Sequence, residues 1–212
     1  MTCSQCQGIE STFDEVSIRK ELLFYAKDGL DDTTKWLVEA IKSQGIQDST
    51  LLDIGGGIGG IQHELLNQGI ERAVQVDGSS AYIEGAKRAA KERGLLDQIE
   101  WHHGDFVELA DGLEKAHVVT LDRVICCFDD MNALVGKSVA KATRLYGLVY
   151  PRSLWYIRFG HWIINQVLKL RRNGFQIFIH PSEKVEKIID QAGFRKVFHR
   201  ETFLWQVALF AK

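Results

Sequence analysis

Proline is nearly absent from this chain: Pro151 and Pro181 are the only two in 212 residues. No low-complexity stretch and no internal repeat marks a linker, and the length suits one domain that can bury a core. Cysteine is scarce as well, limited to Cys3, Cys6, Cys126 and Cys127. Four cysteines in a chain of this length do not make a disulfide framework, so a reducing, cytoplasmic setting is expected. Long apolar runs are missing: nothing approaches the roughly 18 consecutive apolar residues of a membrane-spanning helix. The opening MTCSQCQGIE has neither a basic region nor an apolar run, so it does not read as a secretory signal. An excess of one charge is missing too, with 26 Lys and Arg against 28 Asp and Glu. A protein built to grip a phosphate backbone shows a strong basic excess, so no nucleic-acid partner is expected.

What is present is alternation. Strands are expected near 50–54, 72–77, 98–103, 117–126, 145–150, 194–199 and 203–211. Helices are expected near 58–68, 80–93, 130–143, 153–172 and 182–192. Such alternation argues a mostly parallel sheet covered on both faces. The last two strands follow one another across a short polar turn, a hairpin that would add an antiparallel strand. Ahead of this core, residues 1–45 read as a loosely ordered tail of about ten residues and two helices. The first helix is opened by a capping-box pattern at Ser11 and Thr12 and ends near Gly29. The second begins after Asp31 and Asp32 and stops at Gly45.

The most informative segment is Leu51-Leu52-Asp53-Ile54-Gly55-Gly56-Gly57-Ile58-Gly59-Gly60, an apolar strand entering a glycine-rich turn and then a helix. Glycines let backbone approach a ligand closely, and a helix N-terminus adds N–H donors. Two patterns overlap here. Gly55, Gly57 and Gly60 fit G-x-G-x-x-G, the dinucleotide fingerprint. Asp53, Gly55, Gly57 and Gly59 fit D-x-G-x-G-x-G. Asp53 separates them, because an anionic pyrophosphate gains nothing from a carboxylate at the loop entrance. S-adenosylmethionine, with an ammonium and a sulfonium and no phosphate, does gain. A plain strand-to-helix turn would also use glycines.

Asp77 closes the strand Ala73-Val74-Gln75-Val76 and precedes Gly78. An acidic side chain there can take both ribose hydroxyls, although it could equally cap the next helix. Trp101-His102-His103-Gly104-Asp105-Phe106 ends the third strand. Asp105 could accept from an adenine amino group and Phe106 could pack on the ring.

With LLDIGGGIGG, VQVDGS and HHGDF in this order, the chain resembles class I S-adenosylmethionine-dependent methyltransferases over roughly residues 20–212. The resemblance implies a Rossmann-like α/β fold: a seven-stranded, mostly parallel sheet of order 3-2-1-4-5-7-6, with strand 7 antiparallel and helices on both faces. It implies S-adenosylmethionine as cofactor, with Asp53, Gly55, Gly56, Gly57 and Gly59 at the methionine end. Asp77 with Gly78 would hold the ribose, and Gly104, Asp105 and Phe106 the adenine. Tyr25 and Cys126 are further cofactor-site candidates. The second loop position, often cysteine or alanine in the family, is Gly56 here, a change expected to matter little. No N/D-P-P-Y/F motif follows strand four, which counts against methylation of base amino groups, and no paired-glutamate loop of the protein-arginine type is present.

The acceptor is expected to be a small organic molecule, at least partly apolar, held between the first helix and the aromatic and basic segment 151–180. That segment includes Arg152, Trp155, Tyr156, Arg158, Phe159, His161 and Trp162. His161 and Tyr156 are its candidate catalytic residues. A helical wheel places Arg158, His161, Asn165, Lys169 and Arg172 on one polar stripe, with a wide apolar arc opposite. The plain reading is a buried helix with that stripe in water; a lid, an oligomer contact or a weak membrane-surface contact are the alternatives. Nothing specifies an oligomeric state. Cys126 and Cys127 are expected to close the fourth strand as small core residues. Together with the Cys3/Cys6 pair they could instead capture arsenite for metalloid or thiol methylation. A non-catalytic cofactor-binding module is the further alternative. No resident metal is expected.

Overall fold

Six largely apolar strands and one charged edge strand pair into one sheet. In the computed structural model, which describes residues 8–10, 12–170 and 175–212, the strands are β1 (Ser49–Ile54), β2 (Ile70–Asp77), β3 (Ile99–His103), β4 (Ala116–Asp122), β5 (Ala142–Pro151), β6 (Arg195–Glu201) and β7 (Trp205–Ala211). Their order is β3-β2-β1-β4-β5-β7-β6. The first five run parallel, and β7 runs antiparallel to both β5 and β6. This is the strand order and sense that the family resemblance implied.

Side chains alternate across the sheet, so each central strand feeds two cores. Leu51, Val118, Val207 and Leu209 pack on one face. Leu52, Ile54, Val119, Leu121, Ala208 and Phe210 pack on the other. The outer strand β6 is largely exposed and carries Arg195, Lys196, His199, Arg200 and Glu201. Charges of this kind discourage edge-to-edge pairing.

The described helices of eight or more residues are α1 (Glu15–Asp28), α2 (Asp32–Lys42), α3 (Ser80–Glu92), α4 (Met131–Lys141), α5 (Trp155–Leu170) and α6 (Ser182–Gln191). The cap of α1 is Asp14, whose carboxylate accepts from the Ser17 N–H. The expected Ser11/Thr12 capping box does not open it. The Asp14 carboxylate supplies the cap instead, and Ser11 lies outside the described residues. Asp31 caps α2, accepting from the N–H groups of Thr33 and Thr34. Helix α2 lies close against the sheet at Gly147, where an added Cβ would come within 2.8 Å of Leu37 Cδ1.

Three expectations are corrected. Residues 8–10, read as part of a loose tail, are helical, with Ile9 beside Gly78 and the Glu10 carboxylate accepting from the Ser80 N–H at 3.0 Å. Strand β4 ends at Asp122 rather than near 126, because Arg123 takes a left-handed backbone (φ +60°) that breaks the extended run. Cys126 and Cys127 therefore sit in a 3₁₀ turn, Ile125–Cys127. Helix α5 is not a buried flank with its polar stripe in water. Its Asn165 Nδ2 donates to Ile177 O (2.6 Å) and its Oδ1 accepts from Ile177 N (2.9 Å), so part of the stripe faces the protein. Apart from the buried Ile157, most of its large apolar residues are exposed: Trp155, Phe159, Trp162, Ile163, Ile164 and Val167. Among the described residues no helix is long and apolar enough to cross a membrane.

Candidate functional site

The site is assembled at the C-terminal ends of β1, β2 and β4. After Ile54 the chain turns through Gly55 (φ +64°), Gly57 (φ +56°) and Gly59 (φ +81°) into a short helix starting at Gly60. These backbone angles are costly for any residue with a Cβ. The Gly55 N–H donates to Val76 O (2.7 Å), which ties the loop to β2.

A buried polar network supports the loop from below. Asp53 Oδ1 accepts from the Thr120 hydroxyl (2.7 Å) and Oδ2 from Gln62 Nε2 (3.0 Å). Gln62 Nε2 also donates to Gln75 Oε1 (2.6 Å), and Gln75 Nε2 donates to Gly57 O (2.9 Å). Residues from β1, β2, β4 and the following helix thus hold one loop carbonyl in place. Burial pushes the Asp53 carboxyl up to about 7. Gly56 belongs to this network sterically: a Cβ there would meet Gln62 Nε2 at 2.7 Å and Asp53 Oδ2 at 2.8 Å. The expectation that glycine matters little at this position is therefore corrected.

Asp77, at the end of β2, accepts from the Gly57 N–H (3.0 Å) and the Ser79 N–H (2.9 Å), and burial pushes it up to about 6. The next helix is capped by Ser79, whose side chain accepts from the Tyr82 N–H, so Asp77 holds the loop and the cap residue's own N–H and is not itself the helix cap. Above it, Glu21 of α1 reaches across to accept from the Tyr82 hydroxyl at 2.6 Å. At the end of β4, Asp122 Oδ2 accepts from the Thr34 hydroxyl (2.5 Å). Asp122 Oδ1 is buried and has no hydrogen-bond partner, and burial pushes this carboxyl up to about 6. Arg123 Nη2 donates to Asp31 Oδ1 (2.6 Å) and to the Thr33 hydroxyl (2.7 Å).

Two adjoining cavities open here. One, of ≈120 Å³, is lined by Glu21, Tyr25, Asp31, Thr34, Asp53, the glycine loop, Asp122 and Arg123. The other, of ≈330 Å³, is lined by Ile9, Phe13, Glu21, Gly55, Gly57, Asp77, Gly78, Tyr82, Asp122, Arg123, Val124 and Cys127. Among the described residues, five carboxylates (Glu21, Asp31, Asp53, Asp77 and Asp122) surround the cleft, against the one lining cation Arg123. Its field favours a cationic ligand and opposes an anionic one.

The structure gathers Asp53, Gly55, Gly56, Gly57, Asp77, Gly78 and Tyr25 around these cavities. Tyr25 is a buried wall, stacked on His63 with ring centroids 6.0 Å apart. Gly59, Gly104, Asp105 and Phe106 are not among the lining residues. Asp105 accepts from the Val107 N–H at 2.8 Å. Phe106 is buried in the same core cluster as Ile125. Ile9 takes that side of the cleft, within reach of Gly78.

Cys126 and Cys127 have their sulfurs 3.9 Å apart, and each donates to Arg123 O. The hydrogen bond with Cys126, then burial, raises the Cys127 thiol well above its usual range. Cys3 and Cys6 lie outside the described residues. His161 and Tyr156 line neither cavity. His161 Nδ1 is 2.9 Å from Ile157 O, and Tyr156 stacks on Phe203.

Sequence reasoning missed Glu21, Asp31, Asp122 and Arg123. Two signals pointed to them: Asp-Arg at the end of an apolar strand, and an acidic residue inside the helix ahead of the glycine loop.

Residues 51–145 match the family model of a methyltransferase domain. A ribosomal protein L11 methyltransferase of Clostridium botulinum (strain Eklund 17B / Type B) is 30% identical over 130 residues, which are 58% of this chain and 39% of that protein. The chain matches about two fifths of that relative's length. The magnesium protoporphyrin IX methyltransferase of Synechocystis PCC 6803, solved with bound SAH, superposes with a TM-score of 0.76 at 15% identity, covering 98% of this chain and 99% of that one. The N-methyltransferase NodS of Bradyrhizobium japonicum WM9, solved with S-adenosyl-L-homocysteine, gives a TM-score of 0.62 at 19% identity, covering 93% and 97%. At these identities the two structures show a shared fold.

Proposed function

We propose that the chain is a class I S-adenosylmethionine-dependent methyltransferase and that it transfers the methyl group of S-adenosylmethionine to a small, partly apolar organic acceptor. The observation that carries this reading is the ring of five carboxylates around a glycine loop, with one of their oxygens, Asp122 Oδ1, buried without a hydrogen bond and 3.8 Å from Arg123 Nη1. An orphaned buried carboxylate oxygen is costly unless a donor reaches it. The ammonium of the cofactor's methionine end is such a donor.

Asp53 shapes the loop and lends negative charge to that end, while the backbone of Gly55, Gly56 and Gly57 borders it. Asp77 retains lone pairs for ribose hydroxyls beside its two backbone donors. Gly78 leaves room for the sugar next to Ile9. When bound, S-adenosylmethionine supplies an electrophilic methyl group, whose displacement needs alignment more than acid–base help. Phe13, Val124 and Cys127 make the more apolar side of the cleft, suited to an acceptor with an apolar body. Glu21 lines both cavities and is placed to take a proton from an acceptor that must lose one.

The arsenite alternative is not favoured. A thiolate, not a thiol, captures a metalloid, and Cys127 is held as a thiol. Among the described residues no group of three His, Cys, Asp or Glu could hold a metal ion.

Calorimetry with S-adenosylmethionine, its demethylated product and NAD tests the proposal. Binding of the first two and not of NAD is expected, with Asp122→Asn weakening both. Tight NAD binding without S-adenosylmethionine binding would overturn it. Methylation of arsenite that is lost in a Cys126→Ala, Cys127→Ala double variant would overturn the acceptor class alone.

A further inference from the structure

We infer that helix α5 is an interfacial helix that lays its aromatic face on an anionic lipid bilayer. At 100° per residue, Trp155, Phe159, Trp162, Ile163 and Val167 fall on one arc of the helix, and all five are exposed. Trp155 is 78%, Phe159 58% and Trp162 57% accessible. Tyr156 extends the patch onto the body of the protein: its ring meets Trp155 edge-on and stacks on Phe203, itself 75% accessible. The inward side is held by Ile157, which is buried, and by the paired hydrogen bonds of Asn165 to Ile177. The helix is anchored with its apolar face outward, the reverse of an ordinary surface helix. A contiguous patch of this kind marks a binding surface.

Charge identifies the occupant. Residues 131–182 contain no Asp or Glu and eight Lys and Arg, while the other 160 residues hold all 28 acids. Arg158 and Lys169 are exposed along one edge of the arc, and among the described residues neither is within ion-pair distance of an acid. An aromatic face with unpaired cations at its edge is the make-up of a helix lying in the headgroup region, where Trp rings prefer to sit. A second copy of the same face would instead set one cationic island against another. With 16 residues and a basic edge, α5 lies in the plane and does not cross. This surface does not depend on the reaction proposed above.

Sedimentation of the full chain with vesicles tests it, using phosphatidylcholine alone or with phosphatidylglycerol added as about one third of the lipid. At low salt we expect at least about tenfold stronger binding to the anionic vesicles, weakening as salt screens the charges. Phe159→Glu with Trp162→Glu should abolish binding. Arg158→Glu with Lys169→Glu should remove the preference for anionic lipid. Brominated lipid should quench tryptophan fluorescence in the wild type, a readout that requires no variant to fold. Wild-type protein left in the supernatant with both vesicles overturns the inference. So does undiminished binding by the first double variant with an intact circular dichroism spectrum. A dimer seen by light scattering and lost in that variant, without vesicle binding, would give the face to a second copy and overturn it equally.

Discussion

The Arg123 guanidinium lies 2.6 Å from Asp31 Oδ1, and this contact joins the end of β4 to the turn between α1 and α2. The helical cover is thereby pinned over the strand that carries Asp122. Both side chains are about one third exposed (36% and 37%), so the pair itself is worth only about 0–1 kcal/mol. Asp31 also caps α2, a role worth about 0.5–2 kcal/mol. Asp31→Ala should therefore cost more in urea unfolding than Arg123→Ala. Burial pulls the Asp31 carboxyl up, but hydrogen bonding and charge from Arg123 outweigh it and hold the group well below its usual range. Its contribution is present above about pH 4 and is lost as pH falls below that value. Equal losses in the two variants would show that the cap contributes nothing.

Asp77→Ala should weaken binding of S-adenosylmethionine by about 1–3 kcal/mol, the scale for losing charge-assisted hydrogen bonds. Calorimetry measures the loss, and circular dichroism checks that the Gly57 turn still folds. Unchanged affinity with an intact fold would remove Asp77 from the ribose.

Cofactor affinity should rise with pH between about 5 and 8. Burial pushes Asp53 up to about 7 and Asp77 and Asp122 up to about 6. A cation entering the cleft favours their charged forms, so the bound-state values are lower and binding releases protons. Affinity therefore grows as pH rises through the free-state values and levels off above them. Calorimetry in two buffers of different ionisation heat counts the protons. Proton uptake on binding at pH 6.5 would contradict the expectation.

Gly56→Ala should destabilise the protein by about 1–3 kcal/mol, the usual cost of forcing atoms into a filled space. The added Cβ would lie 2.7 Å from Gln62 Nε2 and 2.8 Å from Asp53 Oδ2, so the buried network must shift. A melting temperature within about one degree of wild type would show that it yields freely.

The strand-to-loop sequence around Asp53 was legible because its geometry is local. A run of apolar residues ending in closely spaced glycines has few conformations open to it, and Asp53 and Asp77 lie one at the end of each of two adjacent parallel strands. The sheet order followed from the motifs through family likeness, and the hairpin at 201–205 agreed with it. The end of β4 was misjudged because Val124-Ile125-Cys126-Cys127 is apolar enough for a strand. Only the backbone turn at Arg123 (φ +60°) stops it, and a residue type that rarely adopts that conformation gives no warning.

Helix α5 shows the other limit of sequence reading. Its amphipathic pattern was plain in the residues, but periodicity states that a helix has two faces and not which one the protein covers. The Asn165–Ile177 clamp settled that by bonding the polar side inward. Glu21 and Arg123 carry only faint signals in the sequence, since they are held at the cleft by contacts across 61 and 92 positions. The sequence by itself determined the parallel α/β sheet and the glycine loop with its first two carboxylates, because these rest on local periodicity and backbone freedom. Which further charges share the cleft and which face of α5 looks outward were decided only in the tertiary structure, because both depend on long-range packing.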